Sequence, residues 1–190
     1  MRIILGLGNP GKEYAHTRHN FGWDAVEALA TELGATFRKD AAFHAHVTKI
    51  HVNGEAVILA LPTTFMNLSG QAASAILSFY KALPSDLLVV QDELDLPLGM
   101  MRFAFDRSAA GHNGVSSVEA MLGTRGFSRL RLGIDRPATP QPIENYVLEP
   151  FRGDERVLAE QMRETAPKAI LSWINDGLDS ASQTWNGKKG

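Results

Sequence analysis

RIILGLGNPGKEYAHTRHNFG, residues 2–22, decides the architecture and poses the functional question in a single stretch. RIILGL is a short apolar run of the kind that forms a buried strand. GLGNPG, residues 6–11, has the G-x-G-x-x-G spacing of a dinucleotide-binding turn. That turn works only when a helix starts among the glycines, so that its amide N–H groups meet a pyrophosphate. Here Asn9-Pro10-Gly11 reads as a turn, and the helical pattern waits until after HNFG, with Val26, Leu29, Ala30 and Leu33 at i, i+3, i+4 and i+7. No acidic residue ends a second strand about 20 positions later; Glu27 and Glu32 fall inside the helix. Nucleotide-cofactor binding is therefore disfavoured. Attention moves to His19, in a polar loop beyond a strand's C-terminal end, where open α/β sheets place ligands.

Working outward, FHAHVTKIHV and EAVILAL flank Asn53-Gly54 and predict a β-hairpin. SGQAASAILSFYKAL predicts a helix that stops at Pro84, and DLLVVQ another buried strand. MMRFAF alternates, GVSSVEAML predicts a short helix after GHNG, and RLRLGI a strand with Leu130, Leu132 and Ile134 on one face and Arg129 and Arg131 on the other. RPATPQP, residues 136–142, is a proline-rich loop, and the last forty residues read as helical, with Pro167 as a kink or break. The expected fold is one α/β domain over residues 1–190, a mixed, mostly parallel twisted sheet flanked by helices on both faces, with a flexible tail from about residue 184.

Composition narrows the function. The chain has 190 residues, 44% of them hydrophobic, and no apolar run approaches the length of a membrane span. The N-terminus is broken too early by Gly and Pro to act as a signal peptide, and the absence of cysteine fits a cytoplasmic address and excludes thiolate chemistry. Net charge is −2, yet the charge is segregated: Pro97–Arg136 holds six basic residues against three acidic, and Gln141–Ser180 eight acidic against four basic. A segregated basic face suits phosphate groups even on a slightly acidic protein.

Several side chains could carry chemistry. Asp92 follows DLLVVQ at a strand's C-terminal edge, where a carboxylate can hold one imidazole nitrogen of His19 and leave the other free to take a proton from water. Asn9, Asn67 and Asn113 sit in comparable loops, neutral amides able to orient a carbonyl, a water or a ribose hydroxyl. Phe65 and Met66 lie in a short polar loop, as pocket wall or as core. His44 and His46 on one strand face are a conceivable metal pair without an evident third ligand. There is no P-loop, no H-E-x-x-H and no G-x-S-x-G.

GLGNPGKEYAHTRHNFG, PTTFMNLSG, DELDLPLG, GHNG and RLRLGI, in this order, closely resemble the bacterial peptidyl-tRNA hydrolase family. The resemblance implies a monomeric, cytoplasmic esterase that splits the bond between a peptide and the 3′-terminal ribose of tRNA, without metal or cofactor. It implies His19 as general base with Asp92 as its partner, and Asn9, Asn67 and Asn113 as groups that position substrate and water. Tyr14 and Met66, with Phe65 and His112 close by, would line a channel for the peptide and terminal adenosine. Arg131 would be one half of a clamp on the tRNA 5′-phosphate. The lysine of that clamp is replaced by Ala104, which makes Arg102 and Arg107 the candidate substitutes. DRSAA and Asp135 stand where the family usually has glycine, and Gln91 where it often has histidine. The competing reading is a catalytically silent RNA-binding protein on the same fold.

Overall fold

β1 (Arg2–Gly6) occupies the middle of a seven-stranded sheet, and the elements on either side of it are laid down in two passes. α1 (Phe21–Glu32) follows β1, and the chain then builds β2 (Arg38–Asp40), β3 (Ala45–Val52) and β4 (Glu55–Pro62) on one side. α2 (Gly70–Tyr80) carries it across to β5 (Leu87–Glu93), β6 (Met101–Phe105), α3 (Asn113–Leu122) and β7 (Ser128–Gly133) on the other. α4 (Ile143–Val147) and the long α5 (Asp154–Trp185) complete the chain; the computed structural model describes residues 1–187.

The strand order is β2-β3-β4-β1-β5-β7-β6. Among the described residues, β1 pairs in parallel with β4 and β5, and β5 with β7, while β2–β3, β3–β4 and β6–β7 are antiparallel. The sheet is mixed with helices on both faces, as expected, but its parallel part is confined to the four central strands. The extra antiparallel pairing comes from the hairpin, from β6 folding back on β7, and from β2, three charged residues whose sequence carries no strand pattern. Asn53 and Gly54 close the hairpin with φ of 49° and 83°, the left-handed pair that a tight two-residue turn requires.

Central strands are apolar on both faces because both are covered. Ile4, Leu88, Val90, Leu130 and Leu132 face α1 and α5, where they meet Phe21, Val26, Leu29 and Trp173. Ile3, Leu5 and Val89 face α2 and α3, against Ala72, Ile76, Val115 and Val118. Arg129 and Arg131 lie on the face opposite Leu130 and Leu132, as the alternation predicts.

Two expectations for the C-terminal part are corrected. Pro167 is accommodated inside α5, whose backbone departs from helical geometry at Gly177 instead (φ 78°, ψ 178°). A proline costs the helix one hydrogen bond, whereas a left-handed φ redirects the chain and is open to glycine. The tail expected from residue 184 is in part ordered: Trp185 closes α5 and packs on the core, and the Asn186 carboxamide accepts from the Phe103 N–H (2.6 Å) and donates to its carbonyl (3.4 Å) on β6. Residues 188–190 lie outside the described part. Asp135, in a position where glycine is usual, does take φ of 60°, and its Oδ2 accepts from the Leu98 N–H at 3.0 Å, a local bond that offsets the strain.

α1 starts on top of β5 with no side chain between them. A Cβ built on Gly22 would stand 2.1 Å from the Val90 carbonyl oxygen, which is backbone and has nowhere to go. Gly22→Ala is therefore expected to destabilise the fold by roughly 3 kcal/mol through overpacking. The check is a urea unfolding curve, whose midpoint should fall at an unchanged slope.

Candidate active site

A cleft of about 540 Å³ opens at the C-terminal ends of β1, β4 and β5. The strand order reverses there: the chain adds β4 on one side of β1 and β5 on the other, and such reversal points are where α/β sheets hold ligands. Three of the segments that converge on it follow strands of the parallel core. The loop after β1 brings Asn9 and His19, the loop after β4 brings Phe65, Met66 and Asn67, and the end of β5 brings Asp92.

Asp92 is buried between two imidazoles. Both of its carboxylate oxygens lie 3.0 Å from His19 Nδ1, and Oδ1 is also 2.9 Å from His112 Nε2. The two rings are tilted by 45° with centroids 4.9 Å apart. The hydrogen-bond partners assign the protons. His112 Nδ1 accepts from the N–H groups of Gly114 and Val115, capping α3 in the place usually taken by Ser, Thr, Asp or Asn, so its N–H is on Nε2 and donates to Asp92. His19 likewise donates from Nδ1, which leaves the lone pair of Nε2 for the cleft.

Charge follows from this geometry. Burial acts to raise the Asp92 pKa, but His19 and His112 beside it overcome that and hold it well below the usual carboxylate range. For His19 burial acts to lower the pKa, and the Asp92 charge and hydrogen bond outweigh it, giving a net rise above the ordinary 6.5. The ionised carboxylate thus makes the free nitrogen of His19 more basic than an isolated imidazole.

Asn9 is the best-fixed amide. Asn20, which the sequence reading passed over, accepts from the Asn9 backbone N–H and donates to its carbonyl, each at 2.9 Å. The Asn9 Oδ1 accepts from the Met66 N–H at 2.7 Å, so the β1 and β4 loops are tied together and Nδ2 is left as a donor of fixed direction. Asn67 and Asn113 are exposed in the cleft, with no side-chain hydrogen bond among the described residues. The choice between wall and core resolves differently for each neighbour: Phe65 is 55% exposed and is wall, whereas Met66 is 4% exposed and belongs to the core beneath it. Tyr14 stands behind Phe65, edge-on at 6.3 Å, rather than in the cleft lining itself.

Arg131 lies one strand away on β7, with its Nε donating to Glu93 Oε2 at 2.7 Å. Arg102 of β6 is directly across from it in register, and Ala104 is across from Arg129. Arg102 and Arg107 are both exposed and outside the cleft. Arg129 is buried and donates to the Ser108 carbonyl at 3.1 Å, so it is committed to the fold. The far wall, made by Ile143, Val147 and Leu148 of α4 and its end, went unrecognised in the sequence; the one available signal was Pro142, a proline placed just before a short helix.

The metal reading of His44 and His46 does not survive. His44 sits in a left-handed turn ahead of β3 (φ 49°), so the two rings do not share a strand face, and His46 lies against Trp23. Among the described residues, the group close enough to share an ion is His19, Asp92 and His112. There each nitrogen facing the carboxylate is accounted for as a hydrogen-bond donor.

A sequence profile for peptidyl-tRNA hydrolase matches residues 3–190. The chain belongs to the peptidyl-tRNA hydrolase family. It is 42% identical over 186 residues to the peptidyl-tRNA hydrolase of Desulfitobacterium hafniense, an alignment covering 98% of this chain and all of the relative. It is 41% identical to that of Thermus thermophilus, covering 98% and 97%. The crystal structure of the Acinetobacter baumannii peptidyl-tRNA hydrolase superimposes with a TM-score of 0.93 at 34% identity, covering all of this chain and 96% of that one. Within this family member the Asp92 pairing has a direct readout. In a ¹⁵N imidazole titration, His19 should titrate above 6.5 with Nδ1 protonated in the neutral form. In Asp92→Asn the lowering effect of burial is unopposed, and the midpoint should drop below 6.5.

Proposed function

We propose that this family member hydrolyses the ester joining a peptide, or an N-blocked aminoacyl group, to the 3′-terminal ribose of tRNA, with His19 as the general base. The observation that carries the proposal is the His19 Nδ1–H donating to the two oxygens of Asp92, which leaves Nε2 for the cleft with its basicity raised. Nε2 takes a proton from water as the oxygen attacks the ester carbonyl. The proton then passes to the departing ribose oxygen, and the products are a free peptide carboxylate and a tRNA ready for recharging. An ester is reactive enough that activated water suffices, so no covalent intermediate is invoked; general-base assistance contributes on the order of 10² to 10⁴-fold.

Charge on the carbonyl oxygen builds up where a neutral donor of fixed direction is most useful. The Asn9 Nδ2 fits that need, since its partner oxygen is held by the Met66 N–H. Asn67 and Asn113, whose amides carry no hydrogen bond among the described residues, grip the peptide and the terminal nucleotide, with Phe65 as the apolar wall, Met66 beneath it and Tyr14 behind it, and His112 as the fixed ring beneath. Arg131, held at Nε by Glu93, presents its two terminal nitrogens to the tRNA 5′-phosphate, and Arg102 across from it supplies the second cation in place of a lysine at 104. Arg107 is a further contact on the same side. The site is complete without a residue from a second copy, and a monomer is the proposed working unit. A cytoplasmic location agrees with this substrate, and no helix among the described residues is long and apolar enough to cross a membrane.

Deacylation of N-acetyl-aminoacyl-tRNA tests the base. His19→Ala should lose at least about 10²-fold in turnover while still binding tRNA, and full activity in that variant would overturn the mechanism. Since the raised pKa keeps His19 protonated to higher pH, the wild-type rate should climb with pH through a midpoint above 6.5. For the clamp, Arg131→Ala should weaken substrates bearing a 5′-phosphate more than the same substrates after phosphatase treatment; equal losses on both would reject the role.

A further inference from the structure

Arg18 precedes the proposed base in the chain, and its side chain runs the opposite way, under α4. The guanidinium is almost wholly buried. Its Nη1 donates to the carbonyls of Tyr146 and Glu149, each at 3.3 Å, at the C-terminal end of α4, and its Nη2 donates to Glu155 Oε2 at 2.6 Å in the first turn of α5. Its flat face lies 4.2 Å from the centroid of the Tyr146 ring and 5.3 Å from that of Phe151. The backbone repeats the connection: Arg18 N–H donates to the Glu149 carbonyl at 3.0 Å, and Thr17 forms a bridge with Pro150. Residues 146–155 therefore wrap around a single side chain.

Besides this fork, α4 is anchored by apolar packing, with Tyr146 and Val147 buried in the core. It is five residues long and follows the proline-rich segment 136–142, and among the described residues its side-chain hydrogen bond to the end of β7 is from the Tyr146 hydroxyl, which donates to the Ile134 carbonyl at 2.7 Å. Yet α4 and its end supply Ile143, Val147 and Leu148 to the cleft opposite His19. We infer that Arg18 is the positioning residue that holds the α4 wall at its working distance from His19, so that it governs how tightly substrate is gripped rather than how fast the ester is cleaved. This rests on the reading of the cleft as the substrate site.

Only arginine meets the geometry. Two carbonyls and a carboxylate are reached at once by a planar fork, and its weakly hydrated face can stack on two rings; a lysine ammonium is a point donor that does neither. The cost of the arrangement is visible in Arg18 Nε, a buried N–H with no partner among the described residues. Because one fork holds two carbonyls at once, α4 cannot shift away from Arg18 without losing both bonds together.

The test compares wild type, Arg18→Lys and Glu155→Gln, the last easing the outer end of the fork without touching the base loop. KM and the saturating single-turnover rate are measured on N-acetyl-aminoacyl-tRNA, and hydrogen–deuterium exchange is followed over residues 143–150. Arg18→Lys should raise KM by about tenfold with the saturating rate within about threefold of wild type, the pattern of lost binding rather than lost chemistry. Its α4 amides should exchange faster while those of β5 stay protected. Glu155→Gln should move in the same direction by less. Unchanged exchange over 143–150 in Arg18→Lys, or a lost saturating rate at constant KM, would overturn the inference. Absence of hydrolysis by the wild type would instead refute the proposed function, and the exchange comparison would still decide whether Arg18 holds α4.

Discussion

One buried carboxylate organises the candidate site. Asp92 sits at the end of the most thoroughly covered strand of the sheet, where burial alone would favour its neutral form. It stays ionised because two N–H groups face it, one from the loop after β1 and one from the start of α3. Each of those rings is held from a second direction, His112 by the amides of its helix and His19 by the 3₁₀ turn Arg18–Asn20. The carboxylate thus links three segments far apart in sequence, and their common product is a single unengaged imidazole nitrogen. In a low-dielectric setting a fixed charge of this sort acts strongly on its neighbours and needs no reorganisation when a proton moves.

Much of this was legible in the residues. β1, the hairpin and its Asn53-Gly54 turn, β5 and the alternation of RLRLGI all follow from short-range pattern, since each is decided by which faces are buried. His19 and Asp92 could be paired because both follow strands at the same edge of a sheet. What pattern could not supply is anything decided by tertiary contact. β2 is a strand only because β3 offers it an edge, and three charged residues carry no sign of that. Asn20 looks like any loop asparagine until Asn9 is folded against it, and Pro167 outranks Gly177 as a helix breaker until packing fixes where the chain must bend. His112 as a helix cap is invisible for a different reason: imidazole is not a customary cap, and it serves here because Asp92 has already settled which nitrogen bears the proton.

The departures from the family pattern are also local physics. Asp135 adopts the left-handed conformation that explains a glycine preference there, and it brings its own hydrogen bond to the Leu98 amide. Ala110, in the loop before GHNG, has φ of 49° with no side chain able to offer such a bond, so the strain is carried by the loop itself. Where the resemblance implies a lysine the chain has Ala104, and Arg102 lies across from Arg131, two residues away along the same face.

Asn186 has a wider significance than its place at the end of α5 suggests. By accepting from the Phe103 N–H and donating toward its carbonyl, it occupies the outer side of β6 much as another strand would. The opposite margin of the sheet ends in β2, only three residues long and fully charged in sequence. Exposed margins of a sheet are templates onto which foreign chains can add, and brevity, charge and coverage are the means of blunting them. An enzyme meant to meet incomplete, unfolded peptides at every turnover has particular cause to give them no strand to join. In this chain that protection lies partly in a single carboxamide just beyond its last helix.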